Sequence, residues 1–244
     1  MRVVNTVPVL DESKCIGCVI CTSVCPTLAW SVDRATKLAV LDEPRCFGCV
    51  NCESRCPTYA IKMVPRRENR FLYVDPKLVD YAEVEALCRK ARFHPEQVVC
   101  FCTSSRAEEI AAAILTGSRT PEEISARTGI RSGCTIECSQ PLLRILEAAG
   151  IPYRPALGGR GWQIYGRVAT AWEIPESVKK KYADRGFHFE QDIALMEEVI
   201  AAPAEPPSDG AAAQSPSHRS PGSDTQGLDF AAPGGTDLAG RNQQ

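Results

Sequence analysis

Twelve of the thirteen cysteines stand at spacings suited to metal ligation. Cys15, Cys18, Cys21 and Cys25 run straight into Pro26, and Cys46, Cys49, Cys52 and Cys56 run into Pro57, so one pattern is written twice. An iron–sulfur cubane needs four thiolates at tetrahedral corners. A tight loop with a cysteine at every third position supplies three of them, and the fourth must approach from elsewhere. Gly17 and Gly48 relax the backbone inside each loop and let amide N–H groups turn toward sulfur. Pro26 and Pro57 force the chain away after the last ligand. A pair of zinc sites is the competing reading, but zinc prefers separated Cys-x2-Cys knuckles, which a third cysteine so close behind fits poorly.

The repeat extends beyond the cysteines. Residues 9–30 align with residues 40–61 at a shift of about thirty-one positions, with about two thirds of the pairs identical. Units this short cannot bury their own apolar faces, so the halves are expected to pack as a pseudo-twofold pair. Over residues 1 to about 65 the chain resembles the bacterial-type 2[4Fe–4S] ferredoxin family, in the duplication and in both Cys-Pro endings. The resemblance implies crossed ligation, with Cys15, Cys18, Cys21 and Cys56 on one cluster and Cys46, Cys49, Cys52 and Cys25 on the other. It also implies that cluster loading is coupled to folding.

A second constellation follows. Cys100-Phe101-Cys102 is answered about thirty residues later by Cys134 and Cys138, with Thr120-Pro121-Glu122-Glu123-Ile124, Thr128-Gly129 and Gly133 between. Residues 97 to about 149 resemble the [2Fe–2S]-binding domain of bacterioferritin-associated ferredoxin, also found inside assimilatory nitrite reductases and nitrogenase-type scaffold proteins. The resemblance implies a small helical fold with one [2Fe–2S] cluster on Cys100, Cys102, Cys134 and Cys138. The family closes with Cys-x2-Cys, whereas three residues separate Cys134 from Cys138 here. That extra residue leaves the cluster type open between a two-iron centre and a cubane; a zinc site and a redox-active dithiol are the alternatives. A helix starting near Pro141 would aim the positive end of its dipole at this loop.

The elements that position these residues are legible from pattern. Strands are expected at 3–9, 28–32, 38–41 and 61–64, and a basic segment spans 65–70. Apolar spacing predicts a helix over 78–92. Ser105 and Glu108 read as a capping box for the next helix, Thr120 with Glu123 as another, with Gly117 and Gly129 as stops. The third helix of this module runs from near Pro141 to Gly150. Beyond it come a Gly/Arg-rich loop at 158–161, a strand near 163–170 and a helix from about Glu190. From about 203 the composition turns to Ala, Pro, Ser and Gly and reads as a disordered tail. The expected class is α+β: a ferredoxin-like pseudo-twofold module at 1–66, a connector at 67–96, a helical cluster module at 97–150, a mixed docking segment at 151–202 and the tail at 203–244.

Other residues weigh less. Trp30 and Tyr59 lie beyond the loops, where packing or shielding of a cluster is expected. Cys88 reads as a buried free thiol, His94 as a solitary side chain, and Arg160 and Arg167 near Gly158-Gly159 as loop residues, not a nucleotide site.

With 244 residues, a hydrophobic fraction of 44% and a formal charge of −2, the chain can form a packed core and is a poor candidate for a nucleic-acid binder. It shows no signal-peptide pattern and no apolar run near the ~20 residues of a membrane span, so a cytoplasmic setting is expected. Three cluster motifs with no recognisable nucleophile, nucleotide or flavin motif point to a non-catalytic electron carrier, or an electron-transfer subunit working with a reductase or dehydrogenase. A cluster scaffold or iron-handling protein and a redox sensor are the other classes.

Overall fold

Two small antiparallel sheets frame the cysteine loops. Strand β1 (Arg2–Leu10) pairs with β4 (Ile61–Leu72), and β2 (Trp30–Val32) pairs with β3 (Ala39–Leu41). Each loop carries a short helix, α1 (Ile20–Ser23) in the first and α2 (Asn51–Arg55) in the second. The outermost strands of the duplicated stretch thus pair with each other, as do the innermost, which lays the two loops side by side. This is a computed structural model; it describes residues 1–152 and 166–207. The Gly158–Gly161 loop with Arg160, the beginning of the strand expected near 163, and the tail from 208 lie outside the described residues.

The duplication persists in the backbone. Left-handed φ values recur at equivalent positions: Gly17 and Gly48 (65° and 67°), Val19 and Val50 (59° and 60°), Leu28 and Tyr59 (53° and 54°). Valine disfavours that region because of its branched Cβ, so both loops hold the same strained path around what they enclose. At Gly17 a Cβ would sit 2.4 Å from the Lys37 carbonyl oxygen, so no other residue fits there without moving the β2–β3 turn.

Strand β4 is longer than expected and absorbs the basic segment. Val4 faces Arg70 but Thr6 faces Pro65, so residues 66–69 bulge from the ladder. Pro65, having no N–H to donate, sits at the edge of that irregularity.

The helical part follows: α3 (Tyr81–Lys90), the hairpin β5 (Val98–Cys100)–β6 (Ser105–Arg106), then α4 (Ala107–Leu115), α5 (Pro121–Thr128) and α6 (Ser139–Ala148). Val84, Cys88, Ile110, Ile114, Ile124, Leu142, Ile145 and Leu146 close its core. Thr120 caps α5 by accepting from the Glu123 N–H at 3.2 Å, and Gly129 ends that helix at φ 78°. The expected Ser105–Glu108 box is displaced by one residue. Ser105 pairs with Cys100 in the hairpin, so Glu109 caps instead, accepting the Arg106 N–H at 3.0 Å. Glu108 is buried and accepts from the Tyr81 hydroxyl at 2.9 Å.

Burial raises the Glu109 carboxyl to about 7 from its ordinary 4.5. A carboxyl that holds its proton more tightly folded than unfolded favours the fold below about pH 4.5, and that contribution drains away as pH rises to about 7. Glu109→Gln keeps an oxygen for the Arg106 N–H and cannot ionise. It is expected to stabilise the chain on the order of 3 kcal/mol at about pH 8 and by almost nothing near pH 4.5, read from denaturant unfolding at the two pH values.

Residues 166–170 are not a strand. After them come α7 (Glu176–Tyr182) and α8 (Phe189–Ala201), the latter close to the expected start at Glu190. The end of α8 is tied to α3: Arg89 donates to the Ile200 carbonyl and, at 2.8 Å, to that of Ala202, and Arg92 pairs with Glu197 at 3.4 Å. Among the described residues no helix is long and apolar enough to cross a membrane.

Candidate functional site

Eight cysteines gather around two hollows, and each hollow draws on both loops. Cys15, Cys18, Cys21 and Cys56 line one, with Gly17 and Pro57 in its wall. Cys25, Cys46, Cys49 and Cys52 line the other. The crossing follows from the strand pairing, which brings the Cys-Pro turn of each loop beside the opposite loop.

Backbone donors meet the sulfurs. The Ala29 N–H points at Cys25 Sγ and the Ala60 N–H at Cys56 Sγ, both at 3.2 Å, with the Thr27 and Thr58 hydroxyls at 3.5 and 3.7 Å. Trp30 is buried and lines the second hollow beside Cys52, whereas Tyr59 is 70% exposed. Burial pushes the Cys21 and Cys49 thiols up to about 12, Cys52 up to about 11, and Cys46 upward as well, and neighbouring thiols add to each shift. At Cys56 burial acts the same way but is outweighed by the Thr58 and Ala60 hydrogen bonds, and the thiol is lowered. Such a set is costly as bare thiolates and is stabilised by a cationic core among them, which is the donor chemistry of an iron–sulfur centre. Among the described residues no three His, Cys, Asp or Glu side chains close on a single ion; the thiols stand around a volume.

The two hollows differ in exposure. Cys25, Cys46 and Cys52 are buried, while Cys18 is exposed and Cys15, Cys21 and Cys56 are half-buried. Three arginines brace the second loop. Arg2 donates to the carbonyls of Phe47 and Gly48, each at 3.0 Å, and Arg70 to that of Pro44 at 2.9 Å. Arg66 pairs with Glu43 at 2.7 Å. The basic composition of 65–70 signalled Arg66 and Arg70, and nothing in the pattern pointed to Arg2.

The third thiol set comes from the β5–β6 hairpin and the loop into α6. Cys100 and Cys138 are buried; Cys102 and Cys134 are exposed. The Cys134 N–H reaches Cys102 Sγ at 3.3 Å. The neighbouring Cys138 thiol, with help from Thr103, holds Cys100 below the ordinary thiol range against the effect of burial. Cys138 is raised by Cys100 and by burial. Cys134 is lowered by the N–H groups of Ile136 and Glu137. The extra residue between Cys134 and Cys138 is taken up by Thr135 in the left-handed region (φ 59°), which leaves Cys138 at the cap of α6. Gly133 packs so closely on Cys102 that a Cβ there would lie 2.6 Å from its sulfur.

Residues 14–61 match the family of 4Fe-4S dicluster domains, and residues 98–148 match the BFD-like [2Fe-2S] binding domains. The chain carries both iron–sulfur domains, in that order. Two [4Fe–4S] clusters and one [2Fe–2S] cluster are therefore its cofactors, as the cysteine patterns anticipated. Comparison with curated proteins and with solved structures finds no match.

Cys88 and His94 are not among these thiol sets. Cys88 is fully buried in the helical core, its thiol raised to about 12 by that burial. His94 bonds the Glu96 N–H and the Pro203 carbonyl. Arg167 is paired with Glu147 and Glu173, which removes it from any anion site.

Proposed function

We propose that the chain is a non-catalytic relay that moves single electrons between a donor and a partner reductase or dehydrogenase. Iron–sulfur domains suggest electron transfer. The graded exposure of the three thiol sets carries the finer reading. On it, Cys15, Cys18, Cys21 and Cys56 hold an outer cubane and Cys25, Cys46, Cys49 and Cys52 an inner one. Cys100, Cys102, Cys134 and Cys138 hold the two-iron centre. When bound, each centre supplies reversible one-electron uptake at a potential tuned by burial, charge and N–H···S bonds. Around the outer set, Ile16 and Val19 are 65% and 50% exposed and form an apolar rim where a redox partner can seat. Leu195 and Val199 on α8, also exposed, give the segment at 151–202 a second docking face. The ferredoxin module occupies 1–66 and the helical cluster module 97–150, and the setting is the cytoplasm.

Anaerobically prepared protein is expected to contain about ten irons per chain and to show separate EPR signals on stepwise reduction. Cys138→Ser is expected to remove about two of those irons and leave the cubane signals in place. Colourless, zinc-loaded protein would defeat the proposal. The exposure of Cys102 and Cys134 favours a second reading, a scaffold that hands its two-iron centre to an acceptor. Transfer of that centre to an apo-acceptor supports the scaffold; tight retention through repeated reduction supports the relay.

A further inference from the structure

Among the described residues Arg131 is the largest side chain buried to this depth, only 2% exposed, and it lies beside both Pro26 and Cys134. Its guanidinium donates to the Pro26 carbonyl at 3.2 Å, one residue beyond Cys25. It lines one hollow together with Pro26, Gly133 and Cys134, and the chain reaches Cys134 three residues after it. The backbone at Arg131 is left-handed (φ 65°), a strained conformation for a long side chain. Glu122, also buried, lies 3.8 Å from the guanidinium and balances part of its charge.

We propose that Arg131 is the positioning residue that couples the inner cubane site to the two-iron site: its guanidinium holds the Pro26 carbonyl beside Cys25, it lines the hollow that Gly133 and Cys134 share, and its buried positive charge favours the reduced state on both sides. This rests on the relay reading above. One electron leaves the inner centre, which is thereby oxidised, and the two-iron centre is reduced by that same electron. No bond forms or breaks, and the guanidinium keeps its proton throughout, so it offsets the added negative charge wherever that charge sits. The outer cubane site draws on Cys15, Cys18, Cys21 and Cys56, whose hollow Arg131 does not line, and serves as the internal control.

Three variants test this by EPR redox titration and by the rate of internal electron equilibration after pulse reduction. Iron content and thermal unfolding are measured alongside. Arg131→Met keeps the bulk and removes the charge. At fixed ambient potential its two-iron centre is expected to show a reduced-to-oxidised ratio about tenfold lower than the native protein, equivalent to about 59 mV for a one-electron couple. The inner cubane should shift the same way and the outer one should not. Glu122→Gln removes the opposing charge and should move the two-iron centre in the opposite direction. Arg131→Lys keeps the charge but not the fork that reaches Pro26. It should hold the native ratio while slowing internal equilibration about tenfold.

Native ratios in both Arg131→Met and Glu122→Gln, or an unslowed Arg131→Lys, overturn the proposal while leaving the relay intact. So does a loss of stability without a selective shift at the two near centres, the mark of a merely structural residue. If Arg131→Met fails to load iron, Arg131→Lys and Glu122→Gln still decide the matter. Failure of the relay reading itself looks different, because native protein would then lack the signals to titrate.

Discussion

Cys56→Ala is expected to empty the outer cubane site, although Cys56 belongs to the second loop by sequence. Cys56 shares its hollow with Cys15, Cys18 and Cys21, and Cys25 stands in the corresponding place beside Cys46, Cys49 and Cys52. Removing one of four thiolates leaves an iron without its protein ligand in a loop that Gly17 and Val19 hold in a strained path. The iron content should fall by up to four from about ten. Double variants separate crossed from uncrossed ligation without any need to assign spectra. Residues serving one centre are non-additive, so Cys18→Ala on top of Cys56→Ala should remove little further iron, whereas Cys49→Ala on top of Cys56→Ala should empty both sites. The reverse pattern would show that each loop holds its own four-thiol centre and would sink the crossed assignment.

A comparably large effect is expected at a residue with no side chain. Gly133→Ala drives a methyl to within 2.6 Å of Cys102 Sγ and 2.7 Å of its Cβ. Neither the hairpin turn carrying Cys102 nor the loop carrying Cys134 can withdraw without breaking the Cys134 N–H bond to Cys102. The variant should lose about two irons per chain and about 1–3 kcal/mol of stability, while both cubane signals persist. Gly150→Ala serves as the control. It too places a methyl on a glycine, but nothing lies within 4 Å of it, and its φ of 74° makes the cost conformational alone. It should lower stability slightly and keep every iron. Equal iron loss in both variants would show that the Gly133 effect is general unfolding, not crowding of the third thiol set.

The two loops, their duplication and the Cys-x-Cys pair were legible because a cluster's ligands are dictated by local geometry: three thiolates from one turn need fixed spacing, and spacing survives in a linear string. The caps of α5, from Thr120 to Gly129, were readable for the same reason. The box ahead of α4 was misplaced by one residue because a hairpin required by the Cys100 turn claimed Ser105, and no window around Ser105 reveals that competition. Strand β4 ran past its expected end because its partner β1 lies some sixty residues earlier and supplies the ladder that a basic segment lacks by itself.

Tertiary structure alone decided which thiol set faces solvent, which arginines brace the second loop, and that Arg131 reaches from the helical module to Pro26 across a sequence separation of 105 residues. Thr135 absorbing the extra residue before Cys138 was equally hidden, since a left-handed threonine is disfavoured locally and persists only where the surrounding contacts hold it. Cysteine spacing is a property of short segments and is legible in their order. Burial, charge balance and the routes between sites depend on which distant segments meet, and that is set by packing over the whole fold.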